Sequence, residues 1–411
     1  MNFDDIAALD KADPLAKKRH EFDLPTNTVY LDGNSLGALP TAAKSRIAEV
    51  VSEQWGNHLI RSWNDHHWID LPTSVGEKIA PIVGAESGQV ICCDSISVNL
   101  FKLLSSALSL NSERNIVLST QDNFPTDLYM AQGLSELLGP DLCRLELVAE
   151  EEIEHSLSED VAVLLLTQVN FRTGQLLNME KLTQLAHKKG ILVIWDLAHS
   201  AGALPIALDK CKVDFAVGCG YKYLNGGPGA PAFLYVAKRH HAFVKQPLSG
   251  WMGHAKPFAF DPEYQPASNI NQFLSGTPSV ISMSALDAAL DVWQDVDMLD
   301  IREKSIALGD AFIRSVQMHD CLYELQLCSP SAASQRGSQL AFSHDNAFAI
   351  CQALIENGVI ADFRAPNILR FGFTPLYTSF EDIWQAVTTL VDVVASELYK
   401  EPRFNLALKV T

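Results

Sequence analysis

The sequence predicts an α/β protein whose large domain, with a mainly parallel sheet between helices, is followed by a small α+β C-terminal domain. Short apolar runs alternate with helical patterns from about residue 58 to about residue 275, as in parallel sheets with helices on both faces. The runs are rich in β-branched residues and end in turn residues, like buried parallel strands. At 411 residues, the chain also exceeds the size at which one hydrophobic core usually stops growing.

The N-terminal segment, residues 1–40, is amphipathic and ends in a short strand and a glycine-punctuated turn that places Asn34 and Ser35 at a defined position. Residues 41–280 form the predicted large domain, which begins with a helix over about 41–58. The expected strands of this domain are QVICC, NIVLS, AVLLLTQV, ILVIWD, DFAVGC and APAFLYV.

The predicted small domain comprises residues 281–411. A helical pattern that starts at Ser279 has no strand partner, so we expect it to connect the two domains. Beyond a polar loop at 329–338, the periodicity predicts a strand, a helix, two further strands and a final helix over about 380–399.

Composition limits the partners that we expect. The chain has 31 basic and 49 acidic residues, a net charge of −18, which argues against nucleic acid or an anionic membrane as a partner. Its eight cysteines show no CxxC pair or metal-ligand spacing, so we expect reduced thiols and no metal. The first 20 residues do not resemble a signal peptide, and no apolar run approaches membrane-spanning length. These features predict a cytoplasmic protein.

Two polar residues follow neighbouring predicted strands. Asp196 ends the run ILVIWD, and Lys222 follows the run DFAVGC within the triplet YKY. Because open α/β sheets bind ligands at the carboxyl ends of their strands, we expect the two side chains to share a site. A desolvated lysine is a nucleophile toward an aldehyde, and a carboxylate suits a pyridinium nitrogen. The pair therefore predicts a pyridoxal 5'-phosphate site.

Further candidate residues have two interpretations each. Ser95, Ser97 and Asn99 stand at a helix start, where they predict either phosphate binding or plain helix capping. Phe124 either stacks its ring on a flat cofactor or is a core phenylalanine. In the first case, Asp127 would lie at the cofactor's ring hydroxyl.

His199 and Arg370 have the same ambiguity. His199 either lies beside the cofactor ring or orients Asp196, or it is a loop histidine bound to backbone. Arg370, in an apolar strand, either clamps a substrate carboxylate or pairs with an internal acid. The chain has no P-loop, dinucleotide-binding, HExxH or GxSxG motif.

Motifs spread over nearly the whole chain resemble one family. They are YLDGNSLGALP, LIRSW, SISVNLFKLL, NFPTDLY, VNFRTGQ, DLAHSAGALP, GCGYKYLNGGPGAPAFLYV, LSGWMGH, FLSGTPSV and LRFGFTPLY. Together they resemble the kynureninase family, within the pyridoxal-phosphate enzymes of fold type I. This resemblance implies a homodimeric hydrolase that cleaves the Cβ–Cγ bond of L-kynurenine, giving anthranilate and L-alanine in tryptophan catabolism.

The resemblance also implies residue roles. Lys222 would bind the cofactor covalently, Asp196 would pair with its pyridine nitrogen, and Tyr221 would contact the phosphate and donate a proton. The other implied cofactor contacts are Ile96 and Ser97 at the phosphate, Phe124 stacked on the ring, Asp127 and Thr167 at the ring hydroxyl and flank, His199 beside the ring, and Trp251 with Thr277 across a dimer interface. The implied substrate contacts are Arg370, Trp63, Asn34 and Ser35.

Two of these positions bear on the substrate. Some family members have histidine and asparagine where this chain has Trp63 and Thr277, and that polar pair is suited to hydrogen-bonding a 3-hydroxyl group on the substrate ring. This chain cannot make both contacts, so it would favour the hydroxylated substrate less. The resemblance thus implies a preference for L-kynurenine, with 3-hydroxykynurenine cleaved more weakly.

Two alternatives remain. A cysteine desulfurase or class V aminotransferase would have the same fold, but a desulfurase needs a mobile reactive cysteine, and Cys321 and Cys328 have no evident basic neighbour. A non-catalytic dimeric scaffold could also bind the cofactor. The joint presence of four residues argues against a scaffold, namely Lys222, Asp196, Tyr221 and Arg370.

Overall fold

The computed structural model describes residues 3–406. The helices are α1 (Phe3–Ala12), α2 (Thr41–Glu49), α3 (Ser62–Asp65), α4 (Leu71–Ile79), α5 (Ile96–Leu110), α6 (Pro125–Leu138), α7 (Ile153–Ser156), α8 (Met179–Lys188), α9 (Val280–Ala289), α10 (Met298–Gln317), α11 (Ala347–Glu356) and α12 (Phe380–Ala395). The strands are β1 (Val29–Tyr30), β2 (Val90–Cys92), β3 (Ile116–Thr120), β4 (Arg144–Val148), β5 (Val161–Thr167), β6 (Leu192–Asp196), β7 (Phe215–Cys219), β8 (Ala232–Val236), β9 (Gln326–Leu327), β10 (Gln339–Ser343), β11 (Val359–Ile360), β12 (Asp362–Arg364) and β13 (Ile368–Gly372).

A seven-stranded sheet with the order β2-β8-β7-β6-β5-β3-β4 forms the centre of the large domain. Only β8 runs antiparallel to its neighbours, β7 and β2, so the predicted mainly parallel sheet is confirmed. Every residue of β5, β7 and β8 is buried, which explains their uninterrupted apolar runs. Strand β4 was not predicted, because at the sheet edge its residues are half-buried or exposed and it lacks such a run.

The small domain contains a second sheet with the order β12-β13-β10-β9, in which neighbouring strands are antiparallel. The predicted strand VIADFRA is divided into β11 and β12. Strand β1 of the N-terminal segment pairs with β11. The Asp10 carboxylate of the same segment accepts hydrogen bonds from the backbone N–H groups of Phe380 and Glu381 at the start of α12. The N-terminal segment is thus attached to the small domain.

The predicted domain boundaries at 40/41 and 280/281 remain predictions, and helix packing bears on the second of them. Helix α9, which starts at Val280, packs against α2 and α4 of the large domain, while α10 packs against α12. Between α9 and α10, the chain therefore passes from the helices that pack on the large domain to those that pack on the small domain.

Within residues 3–406, no helix is both long enough and apolar enough to cross a bilayer. Over the same described range, no group of three or more histidine, cysteine, aspartate or glutamate side chains is arranged to hold a metal ion.

Candidate active site

A cavity of about 200 Å³ lies at the carboxyl ends of the central strands. The ends of β5 and β6 are in register, so that Thr167 lies beside Asp196, while the turn after β7 supplies the lysine. Ten of the residues predicted from the sequence line this cavity: Ser95, Ile96, Ser97, Phe124, Asp127, Thr167, Asp196, His199, Tyr221 and Lys222.

Two carboxyl groups, those of Asp127 and Asp196, are buried together in the wall of the cavity. Burial raises the pKa of both, and the charge of Asp196 raises the pKa of Asp127 further. Asp196 Oδ1 accepts a hydrogen bond from the backbone N–H of Ala198 at 2.7 Å, whereas Asp127 Oδ1 has no partner. A protonated ring nitrogen would balance the charge of the Asp196 carboxylate, because buried charges need an opposite charge or a hydrogen bond.

The amine of Lys222 contacts an imidazole. Its Nζ lies 2.9 Å from His199 Nε2, and 5.9 Å from each of the ring centres of Phe124 and Tyr221. Burial and the charges of Lys222 and Arg370 hold the pKa of His199 well below its usual range. The imidazole is therefore neutral, and one of its nitrogens is free to accept a hydrogen bond.

Tyr221 retains its proton at neutral pH. Burial raises the pKa of its phenol, and Cys219 and Asp196 raise it further. A neutral phenol that lines the cavity beside Lys222 can donate a proton to a reacting carbon.

The start of α5 and the loop before α6 form two other walls of the cavity. Ser95 caps α5, its Oγ accepting from the backbone N–H of Val98 at 3.4 Å, and both Ser95 and Ser97 line the cavity. Helix starts of this kind favour anions. Phe124 is 39% exposed and its ring meets Phe171 edge-on at 5.2 Å, so it is not a core residue.

Arg370 pairs with an acid of the same sheet. Asp362 lies opposite it in the register of β12 and β13, and its Oδ2 accepts from Arg370 Nε at 3.0 Å and from Nη2. Arg370 also donates to the Phe171 carbonyl and to Ser35 Oγ. The internal ion pair that the sequence left open is present, while the substrate-clamping role of Arg370 stays a prediction.

The GNSLG turn, residues 33–37, contacts both the turn that carries Lys222 and the small domain. A Cβ atom at Gly37 would lie 2.3 Å from the Lys222 carbonyl oxygen, and one at Gly372 would lie 2.1 Å from Asn34 Oδ1. Asn34 is completely buried and donates to Gln339 Oε1 at 3.2 Å. The close approach to the Lys222 backbone explains why position 37 of this turn needs a glycine.

The helix-start candidate Asn99 lies outside the cavity lining, and its Nδ2 donates to the Cys93 carbonyl at 2.9 Å. Six of the residues implied by the family resemblance also lie outside the lining. Trp63 packs edge-on against Trp68, with ring centres 6.1 Å apart. Trp251 is 37% exposed and contacts Phe258, and Thr277 is also exposed. The other three are Asn34, Ser35 and Arg370, which lie in the contacts between the GNSLG turn and the small domain.

Sequence reasoning missed several residues of the site. Thr126 and Phe171 line the cavity, and their positions within FPTD and VNFRTGQ could have identified them. Gln339 and Asp362 contact His199 and Arg370, yet each lies in a strand pattern with no distinguishing motif.

The residues present fit pyridoxal 5'-phosphate. Lys222 offers an amine for its aldehyde. The buried carboxyl group of Asp196 suits its ring nitrogen, the unpartnered Asp127 Oδ1 suits its ring hydroxyl, and a helix start with Ser97 suits its phosphate.

Comparisons with known proteins agree with this chemistry. A kynureninase from Deinococcus radiodurans is 51% identical, with 95% of each chain aligned, and one from Burkholderia pseudomallei is 48% identical, with 99% of each chain aligned. The family model "Kynureninase C-terminal domain" matches residues 301–390. A solved C-DES mutant with glycine covalently linked to the PLP cofactor superposes with a TM-score of 0.79 at 19% identity, covering 91% of this chain and 99% of that one, which shows a shared fold. The chain has the PLP-dependent fold type I, its cofactor is pyridoxal 5'-phosphate, and it belongs to the kynureninase family of hydrolases that act on carbon–carbon bonds.

Proposed function

We propose that this chain, acting as a homodimer in the cytoplasm, hydrolyses L-kynurenine to anthranilate and L-alanine in tryptophan catabolism, and cleaves 3-hydroxykynurenine more weakly. The observation that supports this most strongly is the single cavity that brings Lys222, Tyr221 and Asp196 together.

When bound, pyridoxal phosphate accepts the electron pair that is released at the substrate's α- and β-carbons. Asp196 keeps the ring nitrogen protonated, because a carboxylate buried beside it favours the charged form. Lys222 would hold the cofactor and, as a free amine, would be the base that removes the substrate's α-proton.

Water supplies the remaining atoms of the reaction. It adds to the γ-carbonyl, the Cβ–Cγ bond breaks, and anthranilate takes the oxygen. Tyr221, which keeps its proton at neutral pH, would then protonate the β-carbon and regain a proton from the water that was consumed. Lys222 would return the proton it had taken to the α-carbon, so that L-alanine leaves. Acid–base assistance of this kind typically contributes about a hundredfold to ten-thousandfold in rate.

The homodimer is supported by an apolar groove of about 650 Å³ on the large domain. Trp55 is 56%, Leu39 41% and Ile281 42% exposed there, and apolar patches of this kind mark interaction sites. Pro278 of the same groove directly follows Thr277. A second copy docked in this groove would carry Thr277, and Trp251 with it, toward the neighbouring cavity.

Hybrid dimers test this arrangement. If Trp251 acts across the interface, a Trp251→Ala chain and a Lys222→Ala chain each form inactive homodimers, whereas their hybrid retains one intact site. Random mixing after dissociation would restore about a quarter of the wild-type activity. A mixture that stays inactive although hybrids form would contradict the shared site.

The catalytic proposal is tested by adding L-kynurenine to the purified holoenzyme. We expect anthranilate fluorescence to rise together with an equal amount of L-alanine, and kcat/KM to be higher than with 3-hydroxykynurenine. Persulfide formation from cysteine without anthranilate would favour the desulfurase. Cofactor binding without any product would favour the scaffold.

A further inference from the structure

His199 is linked to the small domain through a buried amide. Its Nδ1 lies 3.1 Å from Gln339 Oε1, while its Nε2 faces Lys222 Nζ on the opposite side of the ring. Gln339 is 1% exposed and begins β10. One imidazole therefore separates the reactive amine from a glutamine 140 residues further along the chain.

The contacts of Gln339 fix the orientation of its amide. The Nε2 group faces two backbone carbonyls, those of Phe171 at 3.0 Å and Asn170 at 3.4 Å. Carbonyl oxygens only accept hydrogen bonds, so the NH₂ end must point toward them. Asn34 Nδ2 donates to Oε1 at 3.2 Å from the other side, and exchanging the amide's oxygen and nitrogen would break all of these contacts.

The imidazole tautomer follows from this orientation. An oxygen that faces Nδ1 requires a hydrogen on that nitrogen, because a neutral imidazole has one donor and one acceptor. The lone pair then lies on Nε2, where it can accept a hydrogen bond from the Lys222 amine 2.9 Å away. The opposite tautomer would leave the Gln339 oxygen facing a bare nitrogen, with no hydrogen between the two acceptors.

We propose that Gln339 and Asn34 are positioning residues that hold His199 as its Nδ1–H tautomer and so keep an acceptor directed at the Lys222 amine. Neither residue lines the cavity, and both act through His199. Gln339 belongs to the small domain and Asn34 to the GNSLG turn that packs on it. The tautomer of His199, and with it the acceptor that faces the Lys222 amine, therefore depends on how the small domain packs against the site.

The first test is the ¹⁵N spectrum of His199 in the apoprotein labelled at histidine. This readout does not involve catalysis, so it is separate from the proposed function, on which only the kinetic consequences below rest. We expect a protonated Nδ1 and a bare Nε2 in the wild type. A wild-type His199 with its hydrogen on Nε2 would overturn the proposal.

Gln339→Met removes the acceptor with little change in volume, so the ¹⁵N pattern should shift toward a mixture of tautomers. In the holoenzyme, kcat should fall about tenfold, the effect of losing one hydrogen bond in the reacting state, with KM nearly unchanged. Asn34→Ala, which removes one of the bonds that orient the amide, should cause a smaller shift in the same direction. If neither variant moves the ¹⁵N pattern, the proposal is wrong.

The Gln339→Glu variant shows whether Gln339 acts by positioning His199 or only by filling space in the core. It places a carboxylate at Nδ1, so His199 should take up its second proton at a higher pH, and the acidic limb of the kcat/KM profile should move upward by about one pH unit. The matched control is Gln89→Met, since Gln89 is also buried and hydrogen-bonded but contacts Asp209 and the Lys238 backbone. This control should leave the ¹⁵N pattern and the pH profile unchanged. An equal shift in the control would show a general packing effect and contradict the assignment.

Discussion

Arg370 and Asp362 form a buried ion pair in which Nε and Nη2 of the arginine both donate to Oδ2 of the aspartate, with each residue about 1% exposed. Arg370 also donates to Ser35 Oγ, which follows Asn34 in the GNSLG turn. The guanidinium is thus oriented before any substrate arrives, and such preorganisation lowers the entropic cost of binding.

The Arg370→Ala variant should raise KM for L-kynurenine sharply while the cofactor stays bound, because it removes the proposed clamp for the substrate carboxylate. It also removes one of the two arginines that pair with the buried Asp362, the other being Arg364 at 2.8 Å, which should lower the free energy of unfolding by about 2 kcal/mol. The Arg370→Ala/Asp362→Ala double variant separates the effects, since stability should recover but KM should not. An unchanged KM in both variants would remove Arg370 from substrate binding.

Trp63→His together with Thr277→Asn should move the ratio of kcat/KM values toward 3-hydroxykynurenine, because both changes introduce groups that can hydrogen-bond the ring hydroxyl. Steady-state kinetics with the two substrates give this ratio directly. The single variants are the controls. The Tm of Trp63→His must also be measured to show that the variant folds, because the Trp63 ring packs on Trp68. A constant ratio in the folded double variant would show that these positions do not set ring preference.

Gly372→Ala should lower the free energy of unfolding by about 1–3 kcal/mol, since its Cβ would lie 2.1 Å from the buried Asn34 Oδ1 and the site is already filled. Urea unfolding monitored by tryptophan fluorescence measures this change. Gly133→Ala is the matched control, because a Cβ there meets nothing within 4 Å. Inside helix α6, that substitution should be neutral or stabilise by up to about 1 kcal/mol. Equal effects at the two glycines would contradict the packing argument.

We expect Asp214 to make a pH-dependent contribution to the free energy of unfolding. Burial alone would raise the pKa of this carboxyl, but hydrogen bonds from His187, His240 and the Val193 backbone outweigh it and hold the pKa well below its usual range. A depressed pKa stabilises the fold above the unfolded pKa, about 3.9 for aspartate, and this stabilisation is lost as the pH falls through the lower folded value.

Asp214→Ala should therefore cost about 3 kcal/mol at pH 7, the sum of about two hydrogen bonds to a charged group. Unfolding curves of the wild type and the variant between pH 7 and pH 3 measure the difference. We expect it to be constant above about pH 5 and to shrink below about pH 4. A difference that grows on acidification would contradict the assigned pKa direction.

The sequence predicted those parts of the site that are encoded locally. Asp196 and Lys222 each follow a buried apolar run, so parallel pairing alone brings them to one edge of the sheet. The partner of Arg370 could not be named, because Asp362 meets it only through the register of β12 and β13. Gln339 was missed for a similar reason, since its contact with His199 spans 140 residues and depends on how the domains pack.

The prediction of strands likewise succeeded only where the local sequence has a clear pattern. Strands β5 and β7 were predicted because burial on both faces gives continuous apolar runs, whereas β4 lies at an exposed edge and β9 has two residues, so neither produces a clear pattern.

The covalent role of Lys222 is tested most directly by reducing the holoenzyme with borohydride and mapping the labelled peptide. We expect the reduced cofactor on Lys222, and none in Lys222→Ala, while the control Lys238→Ala, at an exposed lysine, is labelled like the wild type. Cofactor fixed to a different lysine in the wild type would contradict the assignment of this cavity as the active site.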